Sequence, residues 1–195
     1  RSPIQAAPEV QSVGTVRRRN ADPMRILHIS DLHLDVPWGT VPLHQWLNKR
    51  LVGGANLLFG RGKVYADAHR KIPQLDALRR ELETDFLICT GDYTALGTEA
   101  ELTAARASVA PLLEAPRGFA TVPGNHDLYA PDTCRKKRFE NHFRACLATD
   151  IPEHRSVCSP WHYGRLVGYH VAVVAVNSAK PRPIWSSTGR IDAAE

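Results

Sequence analysis

Phe119-Ala120-Thr121-Val122-Pro123-Gly124-Asn125-His126-Asp127 is the stretch that decides how this chain is read. A short apolar run stops at a proline and a glycine and gives way to three polar residues. Such a run suits a buried strand, and Gly-Asn at its end is turn chemistry. The same pattern recurs on either side of it. Arg25 to Ile29 ends in Ser30-Asp31-Leu32-His33, Phe86 to Cys89 in Thr90-Gly91-Asp92, and Val171 to Val176 in Asn177-Ser178. Ala68 to Leu82, Glu99 to Leu113 and Arg138 to Leu147 carry helical spacing between these runs, and Thr98 is placed to cap the second of them. Alternating strand and helix predicts a layered α/β domain. Ligand sites in such sheets gather beyond the carboxyl ends of strands, so polar clusters at successive strand ends predict one site.

The residue types in those clusters point to metal. Asp31 and His33 are separated by one residue, so an extended strand end would turn both side chains the same way and offer one cation an oxygen and a nitrogen. Gly91 lets the backbone turn sharply before Asp92, whose two carboxylate oxygens suit a bridge between two cations. Asn125 adds an amide oxygen without adding charge. Carboxylate, imidazole and amide with no thiolate suit Mn, Fe or Zn. Each fragment alone is common, and a lone Asp or Asn at a strand end is a turn residue.

Taken together, Ile29-Ser30-Asp31-Leu32-His33, Thr90-Gly91-Asp92 and Val122-Pro123-Gly124-Asn125-His126-Asp127 resemble the calcineurin-like metallophosphoesterase superfamily, from about Arg25 to the end of the chain. The resemblance implies a two-layered β-sandwich flanked by helices, a dinuclear centre of two divalent metal ions, and hydrolysis of phosphoester bonds. It implies that Asp31 and His33 hold the first ion, that Asp92 bridges, and that Asn125 holds the second. His126 would then serve the leaving oxygen and Asp127 would orient His126. Two cations about 3.5 to 4 Å apart generate a nucleophile from water and neutralise phosphate oxygens. The flanks of the motifs narrow the branch. Gly91-Asp92 is followed by Tyr93-Thr94-Ala95 rather than the Asp-Arg-Gly of the protein serine/threonine phosphatases, and Ala95 stands where purple acid phosphatases place a tyrosine. The motifs look most like the bacterial group that includes cyclic-nucleotide phosphodiesterases, acting on a small phosphodiester or phosphomonoester. A DNA-repair-type nuclease and a non-catalytic binding version of the fold are the alternatives. The later histidine and Gly-His-x-His segment of the superfamily have no counterpart after Asn177. Residues 25–195 are therefore read as the N-terminal portion of such a domain with its C-terminal part missing, expected to turn over little by itself and to leave an apolar sheet edge or face open.

Composition sets the remaining bounds. With 195 residues, 43% of them hydrophobic and 23% charged, the chain can form one ordinary domain, residues 1–24 being a flexible lead rich in Pro, Gln, Ser and Arg. The apolar runs are too short to cross a bilayer, which argues against a membrane role. A formal charge of +5 suits an anionic partner without selecting one, and nucleic acid is not favoured because aromatic residues do not interleave with the basic ones. The basic run Arg135-Lys136-Lys137-Arg138 opens a helix and would oppose its dipole, so it is either a solvated charged turn or is favoured by something else, such as a phosphate-rich substrate. Four cysteines without a Cys-x-x-Cys pair fit a reducing, cytoplasmic compartment, and the spacing of Cys134, His142, Cys146, His154, Cys158 and His162 matches no common zinc pattern. His28 reads as a satisfied core histidine, His170 as a strand residue and Asp35 as an exposed loop carboxylate. Residues 36–65 read as an amphipathic insert on the domain edge. The oligomeric state is left open.

Overall fold

The structure, a computed structural model, describes residues 23–34, 36–56, 67–151, 161–183 and 186–191. The N-terminal lead, Asp35, His154 and Cys158 lie outside the described residues. Strands β1 (Ile26–Ile29), β2 (Phe86–Cys89) and β3 (Phe119–Thr121) form a three-stranded sheet in the order β1-β2-β3. Both pairings are parallel, with Ile26 opposite Phe86 and Leu87 opposite Phe119. Parallel neighbours need long crossovers. Between β1 and β2 run α1 (Leu43–Trp46), α2 (Arg50–Asn56) and α3 (Ala68–Glu81), and between β2 and β3 runs α4 (Glu99–Ser108). The expected α/β class is therefore present, with the carboxyl ends of β1, β2 and β3 all at one end of the sheet.

Sequence chemistry accounts for the element ends. Thr98 caps α4, taking the Glu101 N–H on its side chain while the Glu101 carboxylate takes the Thr98 N–H, so two orphan donors are satisfied reciprocally. Pro111 turns the helix into a 3-10 segment, Ala110–Glu114, which shortens the expected helix. The stretch expected as one helix from Arg138 divides likewise into α6 (Arg138–Phe143) and a 3-10 turn, Arg144–Cys146, after the short α5 (Pro131–Arg135). In the core Phe143 stacks on Phe139 at 4.7 Å between ring centroids and meets Tyr93 tilted at 4.6 Å, all three fully buried in one cluster with Phe86, Leu87 and Leu102.

A strand not expected from sequence, β4 (Tyr163–Val167), pairs antiparallel with β5 (Val171–Ala175) around a turn where Gly168 has φ +65°. His170 falls in that exposed turn and not inside a strand. β5 lies beside β3 without pairing with it, so among the described residues the implied β-sandwich amounts to a parallel sheet and a separate hairpin. Side chains join the two. The Tyr163 hydroxyl accepts from the Thr121 N–H and donates to the Thr121 carbonyl, both at 2.6 Å, which satisfies the outer edge of β3.

Candidate metal centre

The loops after β1 and β2 are fastened together by backbone bonds that continue the sheet ladder. Asp31 N–H donates to the Gly91 carbonyl at 3.1 Å, His33 N–H to Asp92 at 2.8 Å and Leu34 N–H to Tyr93 at 2.7 Å. Within this ladder three non-glycine residues take left-handed backbone: Asp31 at φ 58°, His33 at φ 45° and Asp92 at φ 55°. Such conformations cost energy and persist where surroundings impose them, commonly at functional sites. The extended geometry expected for Asp31 and His33 is thus replaced by two left-handed turns, which still leave Asp31 Oδ1 3.5 Å from His33 Nε2.

Glycine makes the approach of the third loop possible. Gly91 sits at φ +92°, and a Cβ there would collide with the Gly124 backbone. A Cβ on Gly124 would collide with Asp92 Oδ1. The β2 and β3 loops can therefore touch only through paired glycines. The Asp92 carboxylate accepts from the His126 N–H at 2.8 Å, which fixes its rotation.

One donor atom each from His33, Asp92 and His126 lies within 4.8 Å of the other two, the one such group found among the described residues. The two imidazoles meet edge to face, with centroids 4.7 Å apart. Each is held through Nδ1 against a backbone carbonyl, His33 on Thr94 at 3.3 Å and His126 on Ala95 at 2.6 Å. A carbonyl can only accept, so Nδ1 carries the proton and Nε2 is the lone-pair nitrogen in both neutral rings. Burial, then the nearby His126, lowers the His33 pKa below its ordinary value, which favours the neutral ring that binds metal. Donor types, tautomers and spacing fit a divalent ion.

The other expected site residues fall around this group. Asp31 is exposed beside His33 and takes the Ser30 hydroxyl on its second oxygen. Asn125 is half-buried in the loop between Gly124 and His126. Asp127 departs from its expected role, because it is the Ala95 carbonyl that holds the His126 ring. The wholly buried Asp127 carboxylate instead accepts from Thr94 N–H and Thr94 Oγ1 on one oxygen and from Gly124 N–H on the other, each at 3.0 Å. Complete burial pushes its pKa up to about 7, the Asp92 charge adding to the effect. It ties the β2 loop to the β3 loop. His28 also differs from expectation: it is exposed and bonds the Thr90 hydroxyl at 2.9 Å.

The insert and the basic run meet at Asp132. Arg50 of α2 is fully buried and donates to the carbonyls of Leu96 at 2.8 Å and Gly97 at 3.0 Å, and to Asp132 at 2.8 Å. Arg138, the last residue of the basic run, is buried and pairs with Asp132 at 2.8 Å. The charge that Arg138 meets is thus a carboxylate of its own chain, while Arg135, Lys136 and Lys137 are exposed. Sequence reasoning did not foresee Arg50 at the loop behind Asp92. An arginine between Lys49 and Leu51 has no local signature of burial.

With this geometry in view, the chain matches the family model of the calcineurin-like phosphoesterases over residues 24–177. It belongs to that family, whose members are metal-dependent phosphoric ester hydrolases. No curated protein matches the chain. No helix among the described residues is long and apolar enough to cross a membrane.

Proposed function

We propose that the chain acts as a metal-dependent phosphoesterase on a small phosphodiester or phosphomonoester. In this reading Asp31, His33, Asp92 and Asn125 hold two divalent ions of manganese, iron or zinc. The observation that carries it is the convergence of His33, Asp92 and His126 donors within 4.8 Å, on loops held in left-handed backbone. When bound, the ions supply charge that neutralises phosphate oxygens and activates water. His33 presents Nε2 because Thr94 keeps its Nδ1 proton. Asp92 keeps one rotation because the His126 N–H holds it. His126 as imidazolium donates its Nε2 proton to the leaving oxygen. Its Nδ1–H stays on Ala95 in both protonation states, so the ring keeps its aim across the transfer.

The clustering favours a second reading for one residue, His126 as a third metal donor. His126→Ala separates the two. As a proton donor its loss leaves metal affinity intact and lowers turnover roughly 100- to 10,000-fold, whereas as a ligand its loss removes the metal as well. Four ligands complete the shells of two ions poorly, so turnover by this chain alone is expected to be slow. A reducing, cytoplasmic setting fits Cys89, Cys134 and Cys146, which are free thiols. The test is a nitrophenyl phosphodiester assay with manganese against chelator, run beside inorganic phosphate binding. Metal-dependent phosphate binding with slow hydrolysis supports the reading. A chain that takes up manganese yet neither binds phosphate nor cleaves the ester is a non-catalytic version of the fold.

A further inference from the structure

Beside Asp31 and His33 opens a cleft of about 430 Å³ that none of the roles above uses. One wall is the loop Ser30, Asp31, Leu32 and His33. The other is a stripe of α3, Ala68, Lys71, Ile72 and Leu75. That stripe has the i, i+3, i+4, i+7 spacing of one helix face. Ordinarily such a face is apolar and closed against a core. Here Ala68 and Ile72 are buried, but Lys71 stands between them in sequence, exposed, and the face borders open space. A cleft of this size with largely apolar walls and a few polar groups, here Asp31, His33 and Lys71, is the usual character of a small-molecule site. Two of its lining residues, Asp31 and His33, are among those assigned to metal.

We infer that this cleft seats the organic group of the ester, and that it selects phosphoesters whose organic group has an apolar body of one or two rings carrying an anionic substituent. The assignment of that group to an ester rests on the phosphoesterase reading. Leu32, Ala68, Ile72 and Leu75 supply the apolar contact, and Lys71 meets the substituent as a flexible point charge. Lys71 and Leu75 are thereby specificity-determining residues, outside the set assigned to metal or proton transfer.

The test uses the full chain, zinc-loaded, and compares binding of methylphosphonate, phenylphosphonate and 4-carboxyphenylphosphonate by calorimetry. Phenylphosphonate should bind about tenfold tighter than methylphosphonate from burial of its ring. The carboxylate should add a further gain of about threefold to tenfold over phenylphosphonate, and in Lys71→Gln the ratio of the two affinities should fall to about one. Lys71 is exposed, so that variant is expected to fold, and its far-ultraviolet dichroism checks it. A second measurement stands apart from metal and phosphate: benzoate added to the metal-free chain should shift the amide resonances of Leu32, Lys71, Ile72 and Leu75. Equal affinity for the methyl and phenyl probes overturns the cleft assignment and leaves the phosphoesterase reading standing. Failure of all three phosphonates to bind the zinc-loaded chain contradicts the phosphoesterase reading. The benzoate shifts then decide the cleft, their absence overturning it and their presence supporting it.

Discussion

Gly124 tolerates no side chain, because a Cβ would occupy the place of Asp92 Oδ1. Gly124→Ala is therefore expected to push the β3 loop off the β2 loop and to lose metal binding by calorimetry, with a lower melting temperature. Glu101 gives a pH prediction. Burial lifts its carboxyl from the ordinary 4.5 to about 7 despite the bonds from Thr98 and Leu96. Below about 4.5 the proton is bound in both folded and unfolded chains. Between about 4.5 and about 7 the folded chain keeps a proton that the unfolded chain has released, so stability falls as pH rises through that window. The loss is on the order of 3 kcal/mol. Melting of the metal-free chain should show this slope together with one of the same sign from Asp127, which burial also raises to about 7, and Glu101→Gln, which preserves a capping-box acceptor, should reduce it by the Glu101 share. At this scale the sequence reading singled out Asp31, His33, Asp92 and Asn125 by their place after apolar runs, and the structure gathers two of them, His33 and Asp92, with His126. The reading did not reach the partners of Asp127, because the bonds from Thr94 and Gly124 depend on how two loops approach in space.

β4 shows how far element recognition carries. Its residues, Tyr163-Gly164-Arg165-Leu166-Val167, mix glycine and arginine with apolar residues, so no continuous run marks them as the other four strands are marked. Yet Tyr163 is fully buried and gives both edge groups of Thr121 their partner. Removing only the hydroxyl, Tyr163→Phe, leaves a buried N–H and carbonyl of β3 unsatisfied. The expected cost is about 1 to 3 kcal/mol, measured by denaturant unfolding, with little change in metal affinity because β3 keeps its register on β2. Element boundaries deviated from expectation where local chemistry intervened, as Pro111 did at the end of α4. The insert was legible as amphipathic but not as a source of Arg50, whose bonds to Leu96, Gly97 and Asp132 span more than forty positions in sequence.

Across the whole molecule, the three loops that carry the site leave one end of a parallel sheet, while part of the apolar surface elsewhere lies open. Leu166 is 55% and Val174 60% exposed on the β4–β5 hairpin, and an apolar groove of about 240 Å³ runs between Ile88, Ala120 and Val173. Contiguous apolar surface favours association. Leu166→Lys with Val174→Lys should lower light scattering of the concentrated chain without changing metal binding, since both side chains are exposed and neither belongs to the group of metal donors. The α/β class and the common site were legible because parallel strands place their carboxyl ends together. The open surface was expected only in outline, since exposure depends on the packing of the whole chain. In the proposed centre Asp92 anchors the metal between the β1, β2 and β3 loops. Calorimetric titration of manganese into the full chain and into Asp92→Ala checks this. Saturable binding by the native chain that is lost in the variant is the predicted result, and either no binding by the native chain or equal binding by both would contradict it.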